Sequence, residues 1–304
     1  MAWMICGTVP DASFPLVEGR WRLEGGLLHA EDGGLPPLPV RRGTPALLGT
    51  ALLACEALGA EPPRALLAGD IGDGDGSRRL YGHLAASLKD ARVEGLTFHY
   101  LFPDVDGHNR VLMALEDMDP KPTLVADAGF MYVAKMSGYA DAYDLFTPDA
   151  GELAFLADEK APHPFYTRGF LLAGDADVPE LAARAHRHGN AARFLLVKGR
   201  TDRLVREGRV VGEVDGPQVP ALEPIGGTGD VVTGLVTGLL ASGMDMTRAC
   251  LTAARAGRLA GLRAKPTPAT QVGELLPFLP AALREALESP AGEAAQSPSR
   301  PPLR

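Results

Sequence analysis

A glycine-rich turn that runs directly into an apolar stretch carries the chain's strongest chemical signal: Ile225 to Gly234 reads IGGTGDVVTG. Gly226, Gly227 and Gly229 can take backbone conformations closed to residues with a Cβ, so successive N–H groups, that of Thr228 included, can converge on an anion. A helix starting near Thr228 adds its positive end at the same point. Asp230 falls in the first turn of that helix, at the rim of the anion site. A carboxylate there can take a proton from a hydroxyl as a phosphoryl group arrives. The same residues also fit a helix capped by Thr228 with Asp230 as a favourable first-turn charge, so the turn alone leaves both readings open.

Three upstream segments place polar groups at element ends. Lys198-Gly199 closes the apolar run Phe194 to Val197; in isolation a lysine there reads as a solvated surface charge. Thr147 to Glu152, TPDAGE, opens a helix in which Asp149 and Glu152 fit a capping box. Asp127 ends the run Leu124 to Ala126, and carboxylates just beyond strand C-termini are well placed for ligands in open α/β sheets. Asp70, Asp73 and Asp75 read as a solvated turn; their spacing lacks the bidentate glutamate of a calcium loop. His99, His108, His163, His186 and His188 form no HExxH arrangement and are expected to be surface or core residues.

The GTGD turn, followed by a helix of small and apolar residues, resembles the signature of the ribokinase superfamily, and TPDAGE and the Lys198-Gly199 strand end precede it in the superfamily's order. The longer form GGTGDVVTG is most similar to the ADP/ATP-dependent NAD(P)H-hydrate dehydratases. The resemblance implies a three-layer α/β/α ribokinase-like fold with a largely parallel central sheet. It implies Asp230 as the catalytic base, and Gly226, Gly227, Thr228 and Gly229 as the anion hole, with Lys198 and Gly199 beside the nucleotide. Glu152 would help place a hydrated magnesium ion, and Asp127 and Asp149 would border the substrate. ATP or ADP with Mg2+ are the implied cofactors, and the implied reaction phosphorylates the hydrated nicotinamide ring and then eliminates phosphate.

The N-terminal half resembles the sugar kinases instead. Residues 14–30 would be their lid hairpin, and Arg42-Gly43 stands where that branch carries a glycine pair, which makes Gly43 a substrate contact; Leu47 stands at the asparagine of the sugar clamp. The dehydratase alignment lays Ala68 to Gly72 over a phosphate-contacting loop, with Asp70 in place of a proline. A sugar or nucleoside kinase, or a nucleotide-binding homologue without turnover, is therefore the alternative.

The elements needed to hold these groups are legible as an alternation. Residues 1 to 6 form an apolar strand, and Phe14 to Leu23 with Gly26 to Ala30 suggest a small N-terminal hairpin. Thr44 to Leu58 reads as a buried helix with Thr44 as cap, Pro45 in its first turn and Gly59 as stop. Short apolar runs at 65–68, 96–101, 124–126, 145–146 and 194–197, mostly separated by helix-compatible segments, predict a parallel sheet covered by helices. Arg203 to Arg206 and Val210 to Val214 predict a second hairpin about Glu207-Gly208. Helices are expected over 228–241 and 247–264, and a terminal one over 272–287 interrupted by Pro277 and Pro280.

Size and charge set outer bounds. A chain of 304 residues with 46% apolar and 22% charged residues suits one large α/β domain, here 1–288, followed by a disordered Ser/Pro/Ala-rich tail at 289–304. A net charge of −8 and no basic run argue against a nucleic-acid partner. Three scattered cysteines, Cys6, Cys55 and Cys250, argue against a disulfide framework and for a reducing cytoplasm. No apolar run approaches the length of a membrane span, so the expected partners are a nucleotide and a small-molecule substrate. Homo-oligomerisation stays open, because the N-terminal hairpin could be a lid or a subunit contact.

Overall fold

A strand whose residues are apolar on both faces must be covered on both faces, and β1 (Ala2–Val9) sets this demand for the whole domain. The computed structural model describes residues 2–162 and 177–288; the tail expected at 289–304 and His163 lie outside the described residues. After β1 come β2 (Val17–Gly19), β3 (Trp21–Glu24), β4 (Leu27–Ala30) and β5 (Leu38–Pro39), then α1 (Thr44–Leu58), β6 (Arg64–Gly69) and α2 (Asp75–Ser87). The alternation continues through β7 (Val93–His99), α3 (Val105–Glu116), β8 (Thr123–Asp127), α4 (Gly129–Met136), β9 (Leu145–Phe146), α5 (Ala150–Ala157) and α6 (Val178–Arg187). It closes with β10 (Phe194–Val197), β11 (Asp202–Arg206), β12 (Arg209–Val214), α7 (Thr228–Ala241), α8 (Met246–Ala264) and α9 (Leu279–Glu288).

Among the described residues one nine-stranded sheet runs β12-β11-β10-β9-β8-β7-β1-β6-β2. The strands from β10 to β6 are mutually parallel, β11 and β2 pair antiparallel to the two ends of that block, and β12 pairs antiparallel to β11 at the edge. Along β1, Trp3 and Ile5 enter a core built with α1, α7, α8 and α9, and Met4 and Cys6 enter a second core built with α2 to α6. Two helix layers therefore sandwich the sheet, as the apolar rhythm predicts. No helix among the described residues is long and apolar enough to cross a membrane.

The N-terminal hairpin is observed at β3 and β4, with β5 added as a third strand. Its limits differ from expectation: Val17–Gly19 joins the large sheet beside β6, and Trp21 and Leu28 are buried in the α1-side core. The terminal segment is broken where its prolines fall, into short 3-10 turns at Val272–Glu274 and Leu276–Phe278 before α9.

Two details of packing place the site. Parallel strands end on one edge, so His99, Asp127, Thr147 and Lys198 at or just past the ends of β7, β8, β9 and β10 share that edge. Helices α1 and α7 touch backbone to backbone: a Cβ on Gly234 would lie 2.4 Å from the Leu47 carbonyl oxygen, so only glycine permits the approach. That contact brings the starts of both helices together, with Gly43 N donating to Asp230 Oδ2 at 2.6 Å.

Candidate active site

The glycine turn forms as the sequence suggests, with one change at its cap. Gly227 is the N-cap of α7 at φ 101°, where a Cβ would lie 3.0 Å from Val272 and 3.1 Å from the Arg42 Cα. Thr228 does not cap the helix; its hydroxyl donates to the Ile225 carbonyl at 3.2 Å and closes the turn. The first-turn N–H groups of α7 are thus free of any side-chain cap.

Asp230 is buried, and both of its oxygens are held. Gly43 N–H binds Oδ2, and His99 Nε2 lies 3.1 Å from Oδ1. Burial pushes the Asp230 carboxyl up, but the His99 hydrogen bond and charge, then Lys198 and the Gly43 N–H, pull it below its ordinary value. It is therefore ionised at neutral pH.

Lys198 is not the solvated surface charge suggested by its isolated position. Its Nζ contacts both Asp127 oxygens, at 3.1 and 3.0 Å, with side-chain exposures of 15% and 3% that mark the pair as interior. A Cβ on Gly229 would lie 3.3 Å from this ammonium, so the cation sits against the glycine turn. Burial pulls the Lys198 ammonium down, yet the carboxylates of Asp127 and Glu152 outweigh it and hold the group above its ordinary value. Asp127 also accepts from Thr233 Oγ1 at 2.6 Å and from Ala128 N at 2.8 Å.

Asp149 and Glu152 make the capping box read from sequence: Asp149 Oδ1 accepts from Glu152 N at 2.7 Å, and Glu152 Oε2 from Asp149 N at 2.9 Å. Glu152 Oε1 accepts in addition from Tyr132 at 2.8 Å. Removal from water, then the Asp149 carboxylate, raises the Glu152 carboxyl to about 7. Gly199 is close by, its N–H donating to Asp202 at 3.0 Å, and the Lys198 N–H donates to the Pro148 carbonyl at 2.8 Å in an isolated parallel bridge that pairs Asp149 with Lys198.

Two members of the site have no signal at their own positions. His99 is the last residue of β7, wholly buried, and bridges Asp230 to the Thr44 hydroxyl, 3.1 Å from its Nδ1. Thr44 was expected to cap α1; Gly43 is the N-cap and the Thr44 hydroxyl is turned to His99. His99, Asp127 and Asp230 offer ligand atoms within 4.8 Å of one another, but Lys198 and the His99 proton already engage them, so they form a hydrogen-bonded network.

Asp70 departs from the solvated-turn expectation, because its carboxylate is buried and accepts from Gly72 N, Gly74 N, Ser77 N and Ser77 Oγ at 2.7–3.1 Å. It fills the anion-accepting start of α2 from within the chain, while Asp73 and Asp75 are exposed as expected. A cavity of about 590 Å³ opens there, lined by Gly69, Asp70, Ile71, Arg78 and Arg79. β6 and β7 flank β1, so this cavity is about 10 Å along the sheet edge from the strand that carries His99.

Solved structures share this architecture across almost the whole chain. A ribokinase-like superfamily protein from Enterococcus faecalis superposes with a TM-score of 0.55 at 14% identity, covering 94% of this chain and 87% of that one. Phosphofructokinase-2 from Escherichia coli, in complex with fructose-6-phosphate, gives 0.52 at 15% identity, covering 93% and 99%. Pyridoxal kinase from Staphylococcus aureus, in complex with pyridoxal, gives 0.54 at 12% identity, covering 86% and 88%. The fold is therefore that of the ribokinase-like superfamily. Within it, the NAD(P)H-hydrate dehydratase profile of the carbohydrate-kinase group matches residues 106–277, more than half of the sequence, and the chain belongs to that family. Protein MJ1337 of Methanocaldococcus jannaschii is 35% identical over 243 residues, 80% of this chain and 100% of that one. The ADP-dependent (S)-NAD(P)H-hydrate dehydratase of Cenarchaeum symbiosum is 29% identical over 186 residues, 61% of this chain and 58% of that one.

Proposed function

We propose that the chain is a nucleotide-dependent phosphotransferase acting on a small-molecule hydroxyl, and that its reaction is most like that of the ADP/ATP-dependent NAD(P)H-hydrate dehydratases. The observation that carries this reading is a buried, ionised Asp230 in the first turn of α7, with the start of α1 and the Lys198 ammonium beside it. Asp230 takes the proton of the acceptor hydroxyl as its oxygen bonds to the terminal phosphorus and the bond to the nucleotide breaks. The N–H groups from Gly226 to Gly229, the α7 dipole and Lys198 meet the negative charge that builds on the transferring group. In a dehydratase the phosphate then leaves with its electron pair, a proton leaves the neighbouring ring carbon, and the ring double bond forms.

The acidic pair suits a magnesium ion that accompanies the nucleotide. The Glu152 carboxyl is raised by burial and by Asp149, which is the chemistry of a site that gains from an added cation, and Glu152 with Asp149 would hold the ion's water shell. Lys198, Gly199 and the glycine turn are the nucleotide side of the site; Gly43, Asp127 and Asp149 are its substrate side. Leu47, at the position of the sugar clamp, is fully buried in the core and offers nothing to a diol. This favours the hydrate over a sugar as acceptor.

Thermal shift with ATP or ADP plus magnesium, followed by phosphate release with hydrated NADH and a panel of sugars and nucleosides, tests the proposal. A nucleotide at a hundredfold excess over Kd should stabilise the fold by about 2.7 kcal/mol. Asp230→Asn should keep that stabilisation and lose at least about 100-fold in turnover. Wild-type protein that no nucleotide stabilises, or an Asn variant with unchanged turnover, contradicts the reading.

A further inference from the structure

We propose that His99 is a positioning residue for Asp230: its imidazole, held by Thr44, fixes one carboxylate oxygen so that the remaining lone pairs face the acceptor hydroxyl. This rests on Asp230 being the base. An ionised carboxylate only accepts, so the proton shared over the 3.1 Å contact belongs to His99 Nε2. Thr44 Oγ1, 3.1 Å from His99 Nδ1, can donate to that nitrogen and holds the ring plane, while the acceptor-only Asp230 carboxylate places a proton on Nε2.

The contact is built in from every side. A Cβ on Gly7 of β1 would lie 2.6 Å from both the Thr44 hydroxyl and the His99 carbonyl, so a glycine there leaves the room Thr44 needs. Tyr100 packs edge-on against the imidazole, with ring centres 4.4 Å apart. From β8, Asp127 Oδ2 lies 4.0 Å from Nε2, but Lys198 of the β10 end and Thr233 of α7 already occupy that carboxylate. The His99 proton is thereby directed to Asp230.

With Gly43 N–H on Oδ2 and His99 Nε2 on Oδ1, the carboxylate is gripped at both oxygens and its plane is set by one backbone and one side-chain donor. A ring nitrogen that already carries a proton cannot receive the acceptor's proton at that atom. His99 therefore aims the base and keeps it ionised, and does not relay the proton.

Three variants of the full chain test this. His99→Leu removes both hydrogen bonds; His99→Gln keeps an N–H donor near the Nε2 position; Thr44→Val removes only the donor to Nδ1. Carboxyl carbon NMR, with the Asp230 signal assigned through Asp230→Asn, reads the base directly, whatever the substrate. The Asp230 midpoint should rise by about one pH unit or more in His99→Leu and return most of the way in His99→Gln. In turnover, His99→Leu should lose on the order of 100-fold in kcat with nucleotide KM within about twofold, and its acid limb should move to higher pH. Thr44→Val should lose about 3- to 10-fold in kcat, and together with His99→Gln it carries the test if His99→Leu does not fold. An unmoved Asp230 midpoint, or equal losses in the Leu and Gln variants, overturns the proposal. A wild-type protein without phosphoryl transfer would instead refute the base assignment, while the NMR midpoints would still decide whether His99 governs Asp230.

Discussion

Lys198→Met removes the ammonium from an interior ion pair, and the structure sets the size of the effect. With Nζ 3.0 Å from Asp127 Oδ2, the gross attraction at an effective dielectric constant of 20 is about 5 to 6 kcal/mol. Desolvation of the two groups offsets much of that in the intact pair. Deleting the cation alone leaves Asp127 charged and buried, with only Thr233 and Ala128 N–H as partners, so the variant should lose about 3 to 5 kcal/mol. Asp127→Asn should lose less, about 1 to 2 kcal/mol, because Lys198 keeps the carboxylates of Glu152 and Asp230 nearby and the amide still accepts a hydrogen bond. Urea unfolding with a shared slope measures both, and a double-mutant cycle should return a coupling of at least about 1 kcal/mol. A Lys198→Met loss below about 1 kcal/mol, or a larger loss in Asp127→Asn, refutes the interior-pair account.

Two further perturbations test the scaffold around the site. His108 is buried between Tyr143 and Ser137, and burial lowers its imidazolium from 6.5 to about 4. The unfolded chain binds this proton first as pH falls. The His108 contribution is therefore complete above pH 6.5 and is lost toward pH 4, about 3 kcal/mol in all; His108→Gln should flatten the stability profile across that window, and an unaltered slope would count against it. Asp70→Ala strips four donors at the start of α2 of their acceptor and should cost about 3 kcal/mol in urea unfolding, whereas a loss under about 1 kcal/mol would show that the loop holds without it.

What could be read in advance was whatever depends on neighbours in the chain. The limits of α7, the capping box at Asp149 and Glu152, and the breaks at Pro277 and Pro280 all follow from local capping and backbone chemistry. Most of the roles that were missed depend on partners far away in sequence. His99 meets Asp230 across 131 positions, and nothing beside His99 marks it except its place at a strand end. Lys198 looks solvated until β8 places Asp127 next to it, 71 positions earlier. Thr44 looks like a helix cap, yet tertiary contact with β7 claims its hydroxyl. Asp70 sits among exposed acids and differs from them only because its own loop folds back onto it. For His99, Lys198 and Thr44 the long-range packing overrides the reading that local propensity favours.

The match to the family spans 106–277, and Asp230 lies inside it, while Gly43 and His99, the two donors that grip its carboxylate, lie before it. In the proposed role of Asp230 as base, its strength is thus set from a different part of the gene from the residue itself. Changes in the N-terminal third could retune how readily Asp230 takes a proton, and so, in the proposed role, which hydroxyl acidity it suits, while the glycine turn stays as it is. Under the proposed function, acceptor choice could then diverge with the glycine turn of α7 left unaltered.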